Sequence, residues 1–329
     1  MLYSIRLSSQ YYCSLFNLVA KSLHFHIKYY TSTMKPCRKA LLLSSSNCHG
    51  YSLLEFAKQE ICSFLETNQV SDLIFVPYAQ NGYDGYTKKI KEVIDPWGFN
   101  VKGLHTFSDP FKAINSAKAI FIGGGNTFLL LKTLYDKNLV NLIRERVNAG
   151  NLLYIGSSAG TNVATKSIHT TNDMPIIYPP SFDGIGIVPF NINPHYIDKV
   201  ENETHKGETR DQRIGEFLEM PHANPVLGLR EGCILHVNGE SLILKGVAGA
   251  VLFKNQSQVL ALIRIALHGI VKVEAPHATD QFVLRRAADR DNDVKLNLVS
   301  HLAHALFRIQ IQIRLLADVS ASPLPPIIK

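Results

Sequence analysis

Short apolar runs alternate with longer amphipathic segments between Lys35 and about Gln258. The apolar runs are KALLLSS (39–45), DLIFVPYA (72–79), FNVKGLH (99–105), KAIFIGGG (118–125), NLLYIGSS (151–158) and PVLGLREG (225–232). Between these runs are segments in which apolar residues follow helical spacing, at 53–68, 86–97 and 128–149. Buried strands separated by helices predict an α/β fold with a parallel sheet and crossover helices.

The final stretch of this region has a different pattern. Residues 232–254, GCILHVNGESLILKGVAGAVLFK, alternate apolar and polar positions around Gly-Glu turns. This pattern predicts a small antiparallel hairpin at one edge of the sheet.

The two ends of the chain differ from its middle, and we predict a single domain over 34–258 between two extensions. Residues 1–33 contain no acidic residue and are rich in Ser and Tyr, which fits a mitochondrial presequence or a non-functional extension upstream of Met34. Residues 259–329 lack the turn chemistry of the middle. Apolar residues from Leu298 to Leu316 follow helical spacing, so this extension is either a docking helix or a segment that does not pack.

Charge, hydropathy and cysteine usage argue against several classes of protein and partner. The net charge is +7, yet residues 1–54 contain no Asp or Glu and supply six cations: Arg6, Lys21, Lys28, Lys35, Arg38 and Lys39. The middle is therefore close to neutral, and without a basic-aromatic motif a nucleic-acid partner is not expected. No apolar run reaches about 18 residues, so no membrane partner is expected either. Five cysteines without metal or redox spacing are typical of reduced thiols, which predicts a cytoplasmic protein unless residues 1–33 direct it to mitochondria.

The segment YIGSSAGTNVA (154–164) contains a Gly-x-Ser-x-Gly pattern centred on Ser158. In a nucleophile elbow, glycines two residues on either side of a serine let a strand and a helix approach closely. The run before Ser158 is strand-like and the residues after it are helix-like. The pattern therefore predicts a nucleophilic serine, and a packed turn at a helix start is the alternative.

A glycine-rich loop, Gly123-Gly124-Gly125-Asn126-Thr127, ends the preceding apolar run. Successive glycines expose backbone N–H groups, which suit a phosphate or a developing oxyanion. Gly-Lys-Ser/Thr is absent and the spacing does not fit a dinucleotide fingerprint. Next to an elbow, this loop predicts an oxyanion donor that acts alongside the N–H of Ala159.

A serine nucleophile needs a base, and the base usually needs an orienting carboxylate. Asp173 and His195 follow Ser158 in the order found on α/β-hydrolase sheets. The alternatives are a structural histidine after Pro194 and an aspartate in a turn.

The polar stretch HKGETRDQR (205–213) precedes apolar residues with helical spacing. Thr209 is a predicted N-cap, which places Arg210 in the first turn of the helix. Arg210 is either an exposed residue at a helix start or a guanidinium that binds a substrate carboxylate.

Five motifs in one order, GGGNTF, YIGxSAGTN, TTNDMPI, INPHY and HKGETRDQRI, resemble peptidase E, the α-aspartyl dipeptidase family. The resemblance covers about residues 35–258, so 34–258 is the expected catalytic domain. It implies a fold similar to class I glutamine amidotransferases and hydrolysis of dipeptides that carry an N-terminal aspartate. It also implies that Ser158 is the nucleophile, His195 the general base and Asp173 the carboxylate of the triad.

The same resemblance assigns the remaining site residues. Gly125 and Ala159 match the oxyanion-hole donors, and Arg210 matches the residue that holds the aspartyl side chain of the substrate. Position 157 departs from the family, where a bulkier and often aromatic residue is expected; Ser157 is expected to leave the elbow intact and to alter the pocket wall. Small Asp-X peptides are the expected partners, no cofactor or metal is expected, and a homodimer is left open.

Three alternative functions compete with this interpretation. A cyanophycinase-like enzyme would use the same serine on β-linked aspartyl peptides. A non-catalytic glutamine amidotransferase-like binding protein would lack hydrolysis altogether. A broad esterase is disfavoured because no His-Gly-Gly-Gly motif is present.

Overall fold

The computed structural model describes residues 37–199, 207–254, 271–274 and 281–286. The strands are β1 (Lys39–Leu43), β2 (Asp72–Val76), β3 (Asn100–Gly103), β4 (Ala119–Ile122), β5 (Leu153–Ser157), β6 (Asn191–Tyr196), β7 (Val226–Arg230), β8 (Cys233–Asn238), β9 (Ser241–Gly246), β10 (Ala250–Phe253), β11 (Val271–Glu274) and β12 (Gln281–Arg286). The α-helices are α1 (Lys58–Thr67), α2 (Tyr83–Ile94), α3 (Pro110–Ser116), α4 (Thr127–Asp136), α5 (Leu139–Asn148), α6 (Ala159–Val163) and α7 (Arg210–Glu219). Among these helices none is long and apolar enough to cross a bilayer.

A seven-stranded sheet forms the centre of the fold, in the order β3-β2-β4-β5-β1-β8-β9. The first five strands in this order pair in parallel. β8 and β9 form an antiparallel hairpin on the β1 side of the sheet. The predicted parallel sheet and edge hairpin are both confirmed.

Both faces of this sheet are buried, which explains the nearly continuous apolar runs. In β1, Leu41 and Leu43 pack into the core on the side of α1 and α2. Ala40 and Leu42 pack into the opposite core, where α3, α4 and α5 lie. The alternation follows from the two-residue period of a strand, and it makes the molecule a sandwich with helices on each face.

A second sheet, which the apolar pattern did not predict, has the order β11-β12-β10-β7-β6. The run PVLGLREG forms β7 as expected, but β7 pairs in parallel with β6 and antiparallel with β10 rather than joining the central sheet. β6 was missed because Asn and Pro in NINPHY hide its strand character. β11 and β12 belong to the predicted C-terminal extension, and β12 pairs antiparallel with β10.

The remaining predictions for the ends of the chain lie outside the described residues. They concern residues 1–33 and the helical spacing between Leu298 and Leu316. The boundary at residue 258 stays a prediction.

The helix expected over 128–149 is two helices, α4 and α5, so that prediction is wrong at its centre. The chain turns at Lys137 and Asn138, and Asn138 has a left-handed φ of 56°. Asparagine tolerates this conformation better than most residues, so it ends one helix and begins the next. Each helix contributes its own apolar face to the core.

Helix α6 lies directly against β4, and glycine makes this contact feasible. A Cβ on Gly160 would collide with the carbonyl oxygen of Ile122. A Cβ on Gly156 would lie 2.6 Å from the carbonyl oxygen of Gly160. The two glycines of the Gly-x-Ser-x-Gly pattern therefore let strand and helix meet at Ser158.

We expect Gly160→Ala to lower the free energy of unfolding by about 1–3 kcal/mol, because the new methyl group must displace backbone. Gly85→Ala is the matched control, since Gly85 is an exposed helical glycine with no atom within 4 Å of its added Cβ. That control should be neutral or stabilising by up to about 1 kcal/mol. Thermal and urea unfolding of both variants measure the difference, and equal stability of the two would contradict the packing described here.

Candidate active site

Ser158 lies at the turn between β5 and α6 in a strained conformation. Its φ of 53° and ψ of −111° belong to a sparsely populated region for a residue with a side chain. Residues 152–157 and 159–165 are all buried, whereas Ser158 is partly exposed. The turn therefore exposes one side chain, that of Ser158, at the carboxyl end of β5.

A hydrogen-bonded chain of three side chains starts at Ser158. The Ser158 Oγ lies 2.8 Å from His195 Nε2. On the other side of the ring, His195 Nδ1 lies 2.6 Å from Glu231 Oε1. The His195 side chain is 37% exposed and that of Glu231 is 52% exposed, so the chain is open to solvent at its carboxylate end.

His195 reaches Ser158 because it is displaced from its strand. The ladder between β6 and β7 pairs Pro194 with Leu229 and Tyr196 with Arg230, and it omits His195. His195 has a left-handed φ of 52°, and this irregularity turns its side chain out of the regular alternation. Glu231 lies in the turn between β7 and β8, next to this irregularity.

Asp173 does not contact His195, which corrects the prediction that it orients the histidine. Its Oδ2 accepts hydrogen bonds from the Thr127 N–H (2.8 Å) and the Thr127 Oγ1 (2.6 Å). It also accepts a bond from the Thr171 Oγ1 (3.1 Å). The first N–H groups of a helix have no intrahelical acceptor and favour a negative charge, so Asp173 is held at the start of α4.

The glycine-rich loop lies beside Ser158. A Cβ on Gly124 would lie 3.0 Å from Ser158 Cβ and 3.5 Å from Ser158 Oγ. The loop is fixed from behind, because the Gly124 N–H donates to the Tyr86 hydroxyl (2.9 Å) and Gly124 O accepts from Gln80 Nε2 (3.2 Å). A side chain at position 124 would therefore press against Ser158 and require it to shift.

Two backbone N–H groups next to Ser158 are available to a ligand. In the part of the chain that the structure describes, neither the Gly125 N–H nor the Ala159 N–H has a hydrogen-bond acceptor. Gly125 has a φ of 136°, and a Cβ there would collide with the carbonyl oxygen of Ala79. The two groups predicted as oxyanion donors are thus unpaired beside the serine turn.

Ser157, which departs from the family pattern, lies inside the fold. Its side chain is completely buried, and its Oγ is 2.7 Å from Ser46 Oγ. A side chain that points into the protein does not line a surface pocket. Ser157 therefore leaves the elbow intact, as expected, whereas the expected change in the pocket wall does not follow from this position.

Arg210 is the first residue of α7, and Thr209 caps the helix as predicted. The Thr209 side chain and Gln212 form a reciprocal capping box. Burial, and then the positive charge of Arg213, lower the pKa of Arg210. Within the described ranges Arg210 has no ion pair or hydrogen bond through its side chain, so a half-buried guanidinium is available to an anion.

One hydrogen bond joins the start of α7 to the strand that carries His195. The Tyr196 hydroxyl donates to Asp211 Oδ1 at 2.6 Å. Burial, together with Asp211, raises the pKa of Tyr196, so its hydroxyl stays protonated and keeps donating. Arg210 and His195 are therefore each one residue away from the two ends of this bond.

The described residues contain no group of three or more His, Cys, Asp or Glu side chains able to hold a metal ion. The groups that the site does bring together are a serine, a histidine, a carboxylate and two unpaired backbone N–H groups. A serine bonded to a histidine that is itself bonded to a carboxylate is the arrangement found in serine hydrolases.

Comparison with known proteins agrees with the serine hydrolase class. The family model "Peptidase family S51" matches residues 40–245. A "Probable alpha-aspartyl dipeptidase" of Drosophila melanogaster is 53% identical over 67% of this chain and 92% of the relative. "Peptidase E" of Streptomyces coelicolor is 47% identical over 65% of this chain and 86% of the relative.

The solved structure of a peptidase from an acI-B1 Actinobacterium shares the fold, with a TM-score of 0.51 at 19% identity. The match covers 67% of this chain and 92% of that one. The protein belongs to peptidase family S51.

Sequence reasoning missed Glu231, although a local signal was present. Glu231 and Gly232 follow the apolar run PVLGLR and precede the hairpin, so an acidic residue stands at the carboxyl end of a strand. Polar residues at strand ends are the ones that converge on a site. What the sequence did not reveal is that β7 lies beside β6, which brings Glu231 to His195.

We expect Glu231→Gln to lower kcat for peptide hydrolysis by about 10²- to 10⁴-fold, because the neutral amide no longer stabilises a protonated His195. Asp173→Asn is the matched control, since it also replaces one carboxylate by an amide near the site. An amide oxygen can still accept from Thr127, so this variant should lose mainly stability, about 0.5–2 kcal/mol. Steady-state kinetics and thermal unfolding separate the two effects; a larger loss of kcat in Asp173→Asn would restore Asp173 as the orienting carboxylate.

Proposed function

We propose that the protein is a serine-type dipeptidase that hydrolyses dipeptides with an N-terminal aspartate. The observation that carries this proposal is the 2.8 Å hydrogen bond between Ser158 Oγ and His195 Nε2 at a strained strand-to-helix turn. The name of the relative from Drosophila melanogaster, an alpha-aspartyl dipeptidase, supports the substrate class, and the name of the relative from Streptomyces coelicolor supports a peptidase. We assign the activity to residues 34–258, with small peptides as substrates, no cofactor, and a cytoplasmic location.

In the proposed mechanism, Ser158 Oγ attacks the carbonyl carbon of the scissile bond while His195 Nε2 takes the hydroxyl proton. His195 then returns that proton to the amine that leaves, and an acyl-enzyme remains. A water molecule then gives a proton to His195 and attacks the acyl carbon; the bond to Ser158 Oγ breaks, His195 returns the proton to Oγ, and the aspartate is released. Glu231 accepts from Nδ1–H of the ring, which fixes the tautomer that presents Nε2 to the serine, and it stabilises the imidazolium.

The N–H groups of Gly125 and Ala159 receive the oxyanion of the tetrahedral intermediate. One belongs to the glycine-rich loop and the other to the first residue of α6, so their spacing depends on how the glycine-rich loop packs against the turn at Ser158. Loss of one such donor typically raises the barrier by about 2.7–4 kcal/mol. Asp173 contributes indirectly, because it fixes the start of α4, which follows the glycine-rich loop directly.

Arg210 provides the preference for aspartate. Its guanidinium is half-buried and has no ion-pair partner among the described residues, so a substrate carboxylate would compensate a charge that those residues leave unpaired. An asparagine substrate would leave that cation without an anion. Strong rejection of uncharged side chains follows from this difference.

The proposed function is tested by hydrolysis of Asp-Leu beside Asn-Leu, Glu-Leu and isoaspartyl-Leu. We expect cleavage of Asp-Leu alone and its loss in Ser158→Ala, because the nucleophilic oxygen is removed while the fold is kept. Product amino acids are measured by chromatography, with thermal unfolding as the check on folding. Cleavage of isoaspartyl-Leu alone would move the assignment to a β-aspartyl peptidase, and cleavage of no substrate by folded protein would favour a binding protein.

The role of Arg210 is tested with Arg210→Ala and the control Arg213→Ala. Arg213 lies on the same helix, but it pairs with Glu208 and its side chain is 52% exposed. We expect Arg210→Ala to lower kcat/KM for Asp-Leu by about 100-fold or more, because the substrate carboxylate loses its charged partner. Arg213→Ala should keep kcat/KM close to that of the parent, and equal effects of both substitutions would refute the assignment of Arg210.

A further inference from the structure

The hydroxyl of Ser44, the first residue after β1, bonds to β6, which carries His195, and to β7, the strand that Glu231 follows. Ser44 is completely buried. Its Oγ accepts a hydrogen bond from the His195 N–H at 2.9 Å and donates to the carbonyl oxygen of Leu229 at 2.6 Å. Both capacities of the hydroxyl are therefore used by residues next to the site.

The Ser44 hydroxyl gives the His195 N–H an acceptor that the pairing of β6 with β7 does not provide. The β6–β7 ladder passes from Pro194 to Tyr196 and leaves out His195. A buried backbone N–H without an acceptor is unfavourable, and His195 also has a left-handed φ. Ser44 supplies the missing acceptor and so stabilises the conformation that directs the imidazole to Ser158.

The other bonds of Ser44 fix the turn that carries Glu231. The Ser44 hydroxyl donates to Leu229 O on one side of this turn. The Ser44 N–H donates to Cys233 O on the other side, at 3.0 Å. Glu231 is thus held between two hydrogen bonds that originate from a single residue.

The neighbouring residue, Leu43, holds the nucleophile turn. Its carbonyl oxygen accepts from the Ser158 N–H at 3.2 Å and from Thr161 Oγ1 at 2.5 Å. Two successive residues at the end of β1 therefore contact all three parts of the site, Leu43 on the serine side and Ser44 on the histidine and carboxylate side.

We propose that Ser44 is a positioning residue that sets the His195–Glu231 pair at reacting distance from Ser158. The proposal rests on the proposed function of these three side chains. Ser44 touches no substrate, and it acts through the backbone of His195 and the turn at Glu231. Its removal should lower kcat and leave substrate binding at Arg210 intact.

Ser45 offers a matched control one residue further along the chain. It is 1% exposed, as deeply buried as Ser44, and its hydroxyl donates to the carbonyl oxygen of Asn47. None of its side-chain bonds reaches the site residues. Ser45→Ala therefore removes an equally buried hydroxyl without touching the proposed alignment.

The experiment compares Ser44→Ala, Ser44→Cys and Ser45→Ala in the full chain. Cysteine keeps nearly the volume of serine but is a poor donor and acceptor, so it replaces Ser44→Ala if the alanine variant does not fold. We expect both Ser44 variants to lower kcat for Asp-Leu by about 10- to 100-fold with KM near that of the parent, because a small misplacement of a catalytic group has effects of this size. Ser45→Ala should keep kcat.

A spectroscopic measurement makes the test independent of turnover. The nitrogen-15 shifts of the His195 ring, assigned by their loss in His195→Gln, report which ring nitrogen carries the proton. We expect Ser44→Ala to shift the ring away from the Nδ1–H tautomer and Ser45→Ala to leave it unchanged. If the parent protein cleaves no dipeptide, the change in the ring shifts alone decides whether Ser44 positions His195.

Two results would overturn the proposal. One is parental kcat and unchanged ring shifts in Ser44→Ala. The other is an equal loss of kcat in Ser44→Ala and Ser45→Ala that follows their loss of thermal stability, because that result assigns both serines to packing alone.

Discussion

Two residues with positive φ angles, Ser158 and His195, determine where the site can exist in this fold. Each conformation is unfavourable by itself, and each persists because buried hydrogen bonds to the end of β1 hold it. The two residues lie on different sheets, so the distance between their side chains depends on how the central sheet and the smaller sheet meet. That junction is therefore the part of the molecule on which the three-residue chain from Ser158 to Glu231 depends.

Local patterns predicted the features that local physics controls. The alternation of apolar runs and helices indicated the parallel sheet, and the Gly-x-Ser-x-Gly pattern indicated the turn at Ser158, because glycine is needed where α6 meets β4. Thr209 was recognisable as a cap from its neighbours alone. The pairing of Ser158 with His195 followed from the family resemblance rather than from the spacing of residues.

The features that the sequence did not reveal are non-local. Glu231 reaches His195 because β7 pairs with β6, and no pattern within either strand specifies that neighbour. Its place in the order of residues suggested Asp173 as the partner of His195. Its carboxylate instead accepts from the start of α4, where the N–H groups have no acceptor within the helix. Which donors a carboxylate accepts from is settled by tertiary structure, so residue order alone could not separate Asp173 from Glu231.

Tyr196 and Asp211 connect two separate parts of the site, one for substrate recognition and one for bond cleavage. Recognition of the substrate side chain is assigned to the first turn of α7, and bond cleavage to residues on β5, β6 and the turn after β7. The hydrogen bond between the Tyr196 hydroxyl and Asp211 spans the two groups. Sequence change at the start of α7 can therefore alter which dipeptide is accepted while the hydrolytic apparatus is inherited unchanged, which is a simple route for new specificities to diversify on one scaffold.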